Sequence, residues 1–214
     1  MSARDEILGR VRSALRDAPA APQPDRTYRR TSTMSEDARI ELLVDRLVDY
    51  KAKVQVVGPD QVADRIADLL AGTGDCVVPA GFTAAWLPAD NPETGPRIKT
   101  DGPESPLALA ELDGADAVLT ASAAAVAQTG TIILDGSPGQ GRRAISLVPD
   151  RHICVVEAAG ITELLPEALA RLDGTRPITM ISGPSATSDI ELERVEGVHG
   201  PRNLEVVIVR SRRA

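Results

Sequence analysis

The sequence predicts an α/β fold of three layers, in which helices cover both faces of a Rossmann-like, mostly parallel sheet. From Lys53 onward, short apolar runs alternate with helical patterns, and a helix between two strands implies a parallel crossover. The strand-like runs are continuous in Val, Ile and Leu, which indicates burial on both faces of the sheet. Of the 214 residues 43% are hydrophobic and only 2% aromatic, so we expect one domain with an aliphatic core.

An N-terminal arm is expected to precede this domain. Residues 2–16 have the apolar periodicity of an amphipathic helix, and Ser2 can cap its start. Pro19, Pro22 and Pro24 then stiffen the chain into a semi-extended linker. We therefore divide the chain into a helix and linker over residues 1–33 and a single α/β domain over residues 34–214.

The domain is expected to open with a helix over residues 34–50, because Thr33 and Glu36 have capping-box spacing. The strands expected after it are KVQVVG (53–58), CVVPA (76–80), RIKT (97–100), AVLTA (117–121), TIILD (131–135), HICVVE (152–157), PITMIS (177–182) and LEVVIVR (204–210). The helices expected between them cover residues 59–72, 106–112, 123–127 and 161–172.

Composition excludes several classes of function. With a net charge of −7 and few aromatic residues, the chain lacks the basic surface and the stacking groups of a nucleic-acid binder. No run approaches the ~20 apolar residues of a membrane span, and the charged N-terminus does not resemble a signal peptide, so we expect a cytoplasmic protein. Cys76 and Cys154 lie in strand-like runs and are expected to be buried. Two Cys and two His far apart in sequence predict neither an iron–sulfur cluster nor a structural zinc site, and we expect no metal and no cofactor.

The segment from Gln128 to Arg143 is the first candidate for a binding site. Thr129 and Gly130 precede the TIILD strand, and a glycine-rich loop after it ends in Arg143. Backbone amides beside a guanidinium group can hold a carboxylate or a phosphate. The loop matches neither a P-loop nor GxGxxG. The alternative is a flexible connection with solvated arginines.

A second candidate follows the PITMIS strand. Ser182, Gly183, Ser185 and Thr187 precede a short predicted helix, whose free amides and hydroxyls can bind an anion. Asp189, in the first turn of that helix, is a candidate acid or base. The alternative is a well-capped helix start that binds nothing, because an acidic first turn already offsets the helix dipole.

His199 is the third candidate, since it lies in a glycine- and proline-containing turn and can titrate near neutral pH. Its alternative is a structural, backbone-bonded histidine, and His152 is expected to be structural. Ligands of parallel α/β sheets bind beyond the carboxyl ends of the strands. If TIILD and PITMIS run parallel, their following loops should meet in one pocket, where Arg143 holds the carboxylate of a small acid.

Several motifs together resemble one known family. ADAVLTASAAAVAQTGTIIL, LVPDRHICVV, ISGPSATSDIE and GVHGP, within residues 115–209, are similar to the lactate-utilization protein C family, whose shared module is the LUD domain. The opening ARDEILGRVRSAL resembles the N-terminal helix of that family. The resemblance implies a fold similar to the group of ribose-phosphate isomerases, glucosamine-phosphate deaminases and CoA-transferases. Where the resemblance leads us to expect an acidic residue before TGT, this chain has Gln128.

The resemblance also implies a function. It indicates a cluster-free component of bacterial L-lactate utilization, acting as an accessory subunit beside partner iron–sulfur proteins of the oxidation pathway. A homo-oligomer is left open. The alternative is an independent enzyme that acts on a phosphorylated or CoA-linked small acid, as the fold relatives do, although fold analogy alone is weak evidence of function.

Overall fold

A computed structural model describes residues 2–17, 23–88, 95–187, 195–197 and 199–212. Its helices, α1 to α5, are Ala3–Ala14, Glu36–Asp49, Val62–Leu70, Leu109–Asp113 and Leu165–Leu169. Its strands, β1 to β12, are Lys53–Val57, Asp75–Pro79, Arg97–Asp101, Ala117–Ala121, Ala124–Val126, Thr131–Leu134, Arg151–Glu157, Ile161–Thr162, Thr179–Ile181, Ala186–Thr187, Val195–Glu196 and Asn203–Val209.

The largest element is a six-stranded sheet in the order β1-β12-β7-β4-β2-β3, and its neighbouring strands all pair in parallel. The predicted α/β fold with a mostly parallel sheet is therefore confirmed. The central strands are buried along almost their whole length, as their unbroken apolar runs predict. Both cysteines lie in these strands and are buried.

A second sheet, in the order β8-β5-β6-β9, is a departure from the prediction. It contains the TIILD and PITMIS runs, which pair antiparallel to each other as β6 and β9. The helix predicted over residues 123–127 is wrong, because Ala124–Val126 forms β5 of this sheet. Alanine favours a helix locally, but pairing on two sides within a buried sheet overrides that preference.

Two further helix boundaries differ from the sequence prediction. Residues 161–172 do not form one helix: Ile161–Thr162 pairs with β5 as strand β8, and α5 begins only at Leu165 with Pro166 in its first turn. The capping box predicted for α2 is also wrong. Its cap is Ser35, whose hydroxyl oxygen accepts a hydrogen bond from the Ala38 amide at 3.2 Å.

The core is built in layers around the large sheet. Helix α3 packs its buried face on one side of that sheet. On the other side, α2 inserts Ile40, Leu43 and Leu47 between the large sheet and the second sheet. Helix α5 covers the outer face of the second sheet through Ala168 and its neighbours. Among the helices of the described residues, none is long and apolar enough to cross a membrane.

The arm differs from the body in having no buried residue in α1. Ser2 caps this helix, and its hydroxyl and the Asp5 side chain form a reciprocal capping box. The end of the linker, by contrast, is fastened to the body. Arg29 and the Ser32 hydroxyl both donate to the carboxylate of Glu163, and the Ser32 amide donates to Glu167 at 2.9 Å.

Candidate functional site

Two adjoining clefts lie beside strand β9, and Arg143, Ser146 and Thr179 belong to the walls of both. The smaller, which we call the Arg143 pocket, has a volume of about 190 Å³. That is below the ~300–1,000 Å³ of clefts that hold drug-sized ligands, so the pocket suits a small acid such as one of three carbons. Its other walls come from residues 180–185, the turn at residues 199–201, His152 and Leu204.

Among the described residues, a hydroxyl and a main-chain carbonyl, rather than a carboxylate, hold Arg143. Its Nη1 donates to the Ser146 hydroxyl at 3.1 Å, and its Nη2 donates to the His199 carbonyl at 3.4 Å. No carboxylate of the described residues forms an ion pair with it. Burial lowers the pKa of the Arg143 guanidinium, although an arginine remains charged in a protein. The pocket therefore holds a partly desolvated positive charge.

His152 forms part of the wall of this pocket and is 1% exposed. Its Nε2 lies 2.8 Å from the Thr120 hydroxyl. Burial, with a smaller contribution from the positive charge of Arg143, lowers the pKa of His152 to about 4. The imidazole is therefore neutral at pH 7, and Arg143 supplies the charge at this end of the pocket.

The two segments that carry the resemblance most specifically, SGPS and GVHGP, are hydrogen-bonded to each other. The His199 amide donates to the Ser185 hydroxyl at 2.8 Å. The Ser185 amide donates to the Pro201 carbonyl at 2.9 Å, and the Gly197 amide to the Ser185 carbonyl at 3.0 Å. Arg143, Ser185 and His199 are therefore brought together, because the arginine contacts the same turn that the serine holds.

Thr129 and Gly130 lie at the start of β6, outside the walls of the Arg143 pocket. The Thr131 hydroxyl links the Thr129 hydroxyl, at 2.7 Å, to the Ser182 hydroxyl, at 2.8 Å. Gly130 and Gly183 both have positive φ and lie against the end of α2. These contacts join β6 and β9 and give the TGT and SGP segments a packing role.

The remaining predicted residues have mixed outcomes. Ser182 and Gly183 line the Arg143 pocket. The backbone of Thr187 pairs with Val195 in the ribbon of β10 and β11. Asp189 lies outside the described residues.

The expected position of the pocket at the carboxyl edge of the sheet is wrong. His152 and Leu204 are near the amino-terminal ends of β7 and β12, and the Arg143 pocket lies beside them. The expectation failed because β6 and β9 run antiparallel, so the loops that follow them leave from opposite ends of their ladder. Arg143 nevertheless reaches the turn at His199 from the loop after β6.

A larger cleft of about 820 Å³ does lie at the carboxyl ends of β2 and β3. Five prolines form much of its wall, at positions 79, 103, 106, 138 and 177, and we call it the proline cleft. Its cationic groups are Arg142, Arg143 and Arg176. Arg142 contacts Asp101 at 2.7 Å, and Arg176 contacts Asp135 at 3.4 Å.

Sequence reasoning missed Ser146 and Thr179 and assigned His152 to structure alone. A signal for Ser146 exists, because it follows Arg143 by three residues and the two meet within one turn of 3-10 helix, Arg143–Ser146. His152 carries no such signal, since a histidine at the start of a buried strand is equally compatible with a side chain that only packs in the core. The described residues contain no group of three or more His, Cys, Asp or Glu arranged to hold a metal ion.

The LUD domain model matches residues 40–209 of the chain. The chain belongs to the LUD domain family. That match covers the two sheets and both segments that form the Arg143 pocket.

Relatives support the same assignment. "Lactate utilization protein C" of Deinococcus radiodurans is 42% identical over 211 residues, which is 97% of this chain and 95% of that protein. The protein of the same name from an Exiguobacterium species is 34% identical over 134 residues, 59% of this chain and 56% of its own length. A crystal structure of a DUF162 family protein from Deinococcus radiodurans superimposes with a TM-score of 0.68 at 38% identity, covering 82% of this chain and 99% of that one.

Proposed function

We propose that this LUD-domain chain takes part in bacterial L-lactate utilization, as an accessory subunit beside partner iron–sulfur proteins. The relative that aligns over 97% of the chain carries the name lactate utilization protein C, which supports the pathway. The accessory role follows from the resemblance of its motifs to that family. In this role the chain contributes a binding pocket for a small carboxylate and supplies no cluster of its own.

The observation that carries the binding role is the guanidinium group of Arg143. It faces a pocket of about 190 Å³ and has no carboxylate partner among the described side chains. A carboxylate that enters this pocket would accept charge-assisted hydrogen bonds from it, which are about twice as strong as neutral ones. Neutral His152 beside it adds a polar wall without a competing charge.

Asp189 and His199 remain predicted as the residues that orient or deprotonate the hydroxyl group of a bound hydroxy acid. The His199 main chain already contacts both Arg143 and Ser185, which supports its place in the pocket. We expect Asp189→Asn and His199→Gln to impair growth on L-lactate while the melting temperature stays unchanged. Full growth with both variants would remove them from the proposed chemistry.

The experiment that tests the pathway and the partnership together uses a tagged chain in lactate-grown cells. We expect its gene deletion to stop growth on L-lactate, and the tagged chain to co-purify with proteins that show iron–sulfur absorbance. The chain expressed alone should be colourless. Normal growth of the deletion strain would contradict the pathway, and stoichiometric iron and sulfide in the isolated chain would contradict the accessory role.

A further inference from the structure

The proline cleft is more than four times as large as the Arg143 pocket that adjoins it, at about 820 Å³ against 190 Å³. Clefts of ~300–1,000 Å³ hold ligands much larger than a three-carbon acid. Lactate bound at Arg143 would therefore leave the larger cleft filled with water. The walls of this cleft are mainly apolar, and five prolines make them stiff.

The charged side chains that the structure describes in this cleft are all paired with an opposite charge, with one exception. Asp101, 3% exposed, accepts from Arg142 through both carboxylate oxygens, and Arg142 also donates to the Leu107 carbonyl at 2.7 Å. Arg176 donates to the Ser137 hydroxyl at 2.8 Å and pairs with Asp135. Among the described residues of the wall, Arg143 alone is a cation without a carboxylate partner.

We propose that the two clefts together bind one elongated organic acid, with its single carboxylate at Arg143 and its apolar body in the proline cleft. This inference rests on the carboxylate-binding role proposed for Arg143 and extends it to the class of ligand. A single uncompensated cation among the described residues matches a monoanion. A polyphosphate or a nucleotide would bring several negative charges to a wall whose described residues offer one free cation, which disfavours phosphorylated and CoA-linked acids here.

The test uses the purified full chain and calorimetric titration with lactate, 2-hydroxybutanoate, 2-hydroxyhexanoate and 2-hydroxyoctanoate. Each methylene that leaves water for an apolar wall should tighten binding about fourfold until the cleft is filled. Arg143→Ala should weaken binding of the whole series about tenfold to a hundredfold. Inorganic pyrophosphate is the probe for the polyanion alternative and should bind no more tightly than lactate.

A matched pair of substitutions locates the apolar part of the ligand. Ala80 is exposed in the wall of the proline cleft, and Ala159 is exposed in a separate cleft at the end of β7. We expect Ala80→Trp to abolish the increase in affinity with the chain length of the acid and to leave the affinity for lactate unchanged. Ala159→Trp should alter neither the increase nor the affinity for lactate. If Ala80→Trp does not fold, the wild-type series still decides whether a gain exists.

Each remaining outcome overturns a defined part of the proposal. If lactate binds but affinity does not increase along the series, the elongated ligand is overturned and the binding role of the Arg143 pocket stands. A gain that Ala80→Trp leaves unchanged places the apolar chain elsewhere, and tight pyrophosphate binding that Ala80→Trp abolishes replaces the monoanion by a polyanion. Failure of every acid, lactate included, overturns the binding role of Arg143, whereas the pathway itself is tested separately by growth and co-purification.

Discussion

Arg142 and Arg143 are neighbours in sequence, but their guanidinium groups have different surroundings. Arg142 forms two hydrogen bonds to the buried carboxylate of Asp101 through its Nε and Nη2 atoms. Burial raises the pKa of Asp101, but hydrogen bonds from Arg142 and the Leu107 amide lower it by more, so the carboxylate is charged in the folded protein. Arg143 instead donates to a hydroxyl and a carbonyl.

The two arginines should therefore separate stability from binding. Arg142→Ala leaves Asp101 buried without its cation, and we expect the free energy of unfolding to fall by about 2 kcal/mol, since the guanidinium itself is partly in solvent. Arg143→Ala removes no ion pair among described residues, so unfolding should change little while carboxylate affinity and growth on L-lactate are lost. Urea unfolding and titration with lactate measure both effects. A reversed pattern would assign the binding role to Arg142.

His152 predicts a pH dependence of stability that is distinct from that of the carboxylates. The pKa of His152 is about 4 in the folded protein, whereas the ordinary value for histidine is 6.5. Between these two pH values the unfolded chain therefore binds a proton at this histidine and the folded chain does not. The stabilisation is complete above pH 6.5 and is lost as the pH falls from 6.5 to 4, by about 3 kcal/mol in total. Carboxylates whose pKa is lowered in the folded protein, such as Asp101, lose their stabilising contribution only at pH values below this range.

We expect unfolding free energies measured between pH 7 and pH 4.5 to show this fall in the wild-type protein. His152→Gln keeps a hydrogen-bonding side chain opposite Thr120 but cannot take up the proton, so its stability should be lower at pH 7 and nearly constant in the window. An equal slope in both proteins would show that folding does not lower the pKa of His152.

At the scale of elements, the TGT and SGP segments show how packing can fix the conformation of a short motif. Gly183 has φ +90°, and a Cβ atom there would lie 2.6 Å from the Tyr50 Cβ and 3.1 Å from its carbonyl oxygen. Gly72 also has positive φ, +73°, but a Cβ atom there would meet nothing within 4 Å. Both glycines therefore adopt the left-handed backbone conformation, but only at Gly183 would an added Cβ atom meet a close neighbour.

We expect Gly72→Ala to cost about 1 kcal/mol of unfolding free energy, which is the strain of a left-handed residue with a side chain. Gly183→Ala should cost a further 1–3 kcal/mol, because the end of α2 must move away from the turn that follows β9. Chemical denaturation of both variants provides the measurement. Equal costs would show that the contact with Tyr50 relaxes freely.

The strands themselves were largely predictable, whereas their assignment to sheets was not. Apolar runs located seven of the strands, because such runs tend to be buried whichever sheet they join, and the RIKT segment located an eighth, β3. TIIL in β6 and VVIV in β12 look alike in composition, yet one pairs antiparallel and the other parallel. Strand direction depends on pairing between distant residues, such as Leu134 with Thr179, and nothing local in either run encodes it. The same error moved the predicted pocket to the wrong edge, while the approach of Arg143 to Ser185 was anticipated.

At the scale of the whole molecule, the end of the linker is hydrogen-bonded to the second sheet's helix and strand region, whereas the residues of helix α1 are mostly exposed. Glu163, 8% exposed, receives hydrogen bonds from Arg29 and Ser32, and Glu167 receives one from the Ser32 amide. Helix α1 buries no residue, and Ile7 and Leu15 are 61% and 62% exposed. An apolar stripe of this kind is stabilised by packing against another surface.

This asymmetry refines the prediction that residues 2–16 form a docking arm, and two truncations test it. Removing residues 1–22 should leave the unfolding free energy unchanged, because residues 2–17, the described part of this segment, include none that is buried, but should weaken the complex with the iron–sulfur partners or between copies of the chain. Removing residues 1–33 should weaken the complex equally and also destabilise the body by about 1–3 kcal/mol, since Glu163 loses both donors. Urea unfolding reports the first quantity, and pull-down with sedimentation velocity reports the second. If the shorter truncation destabilises the body while assembly is unchanged, α1 belongs to the core of its own domain and is not an arm.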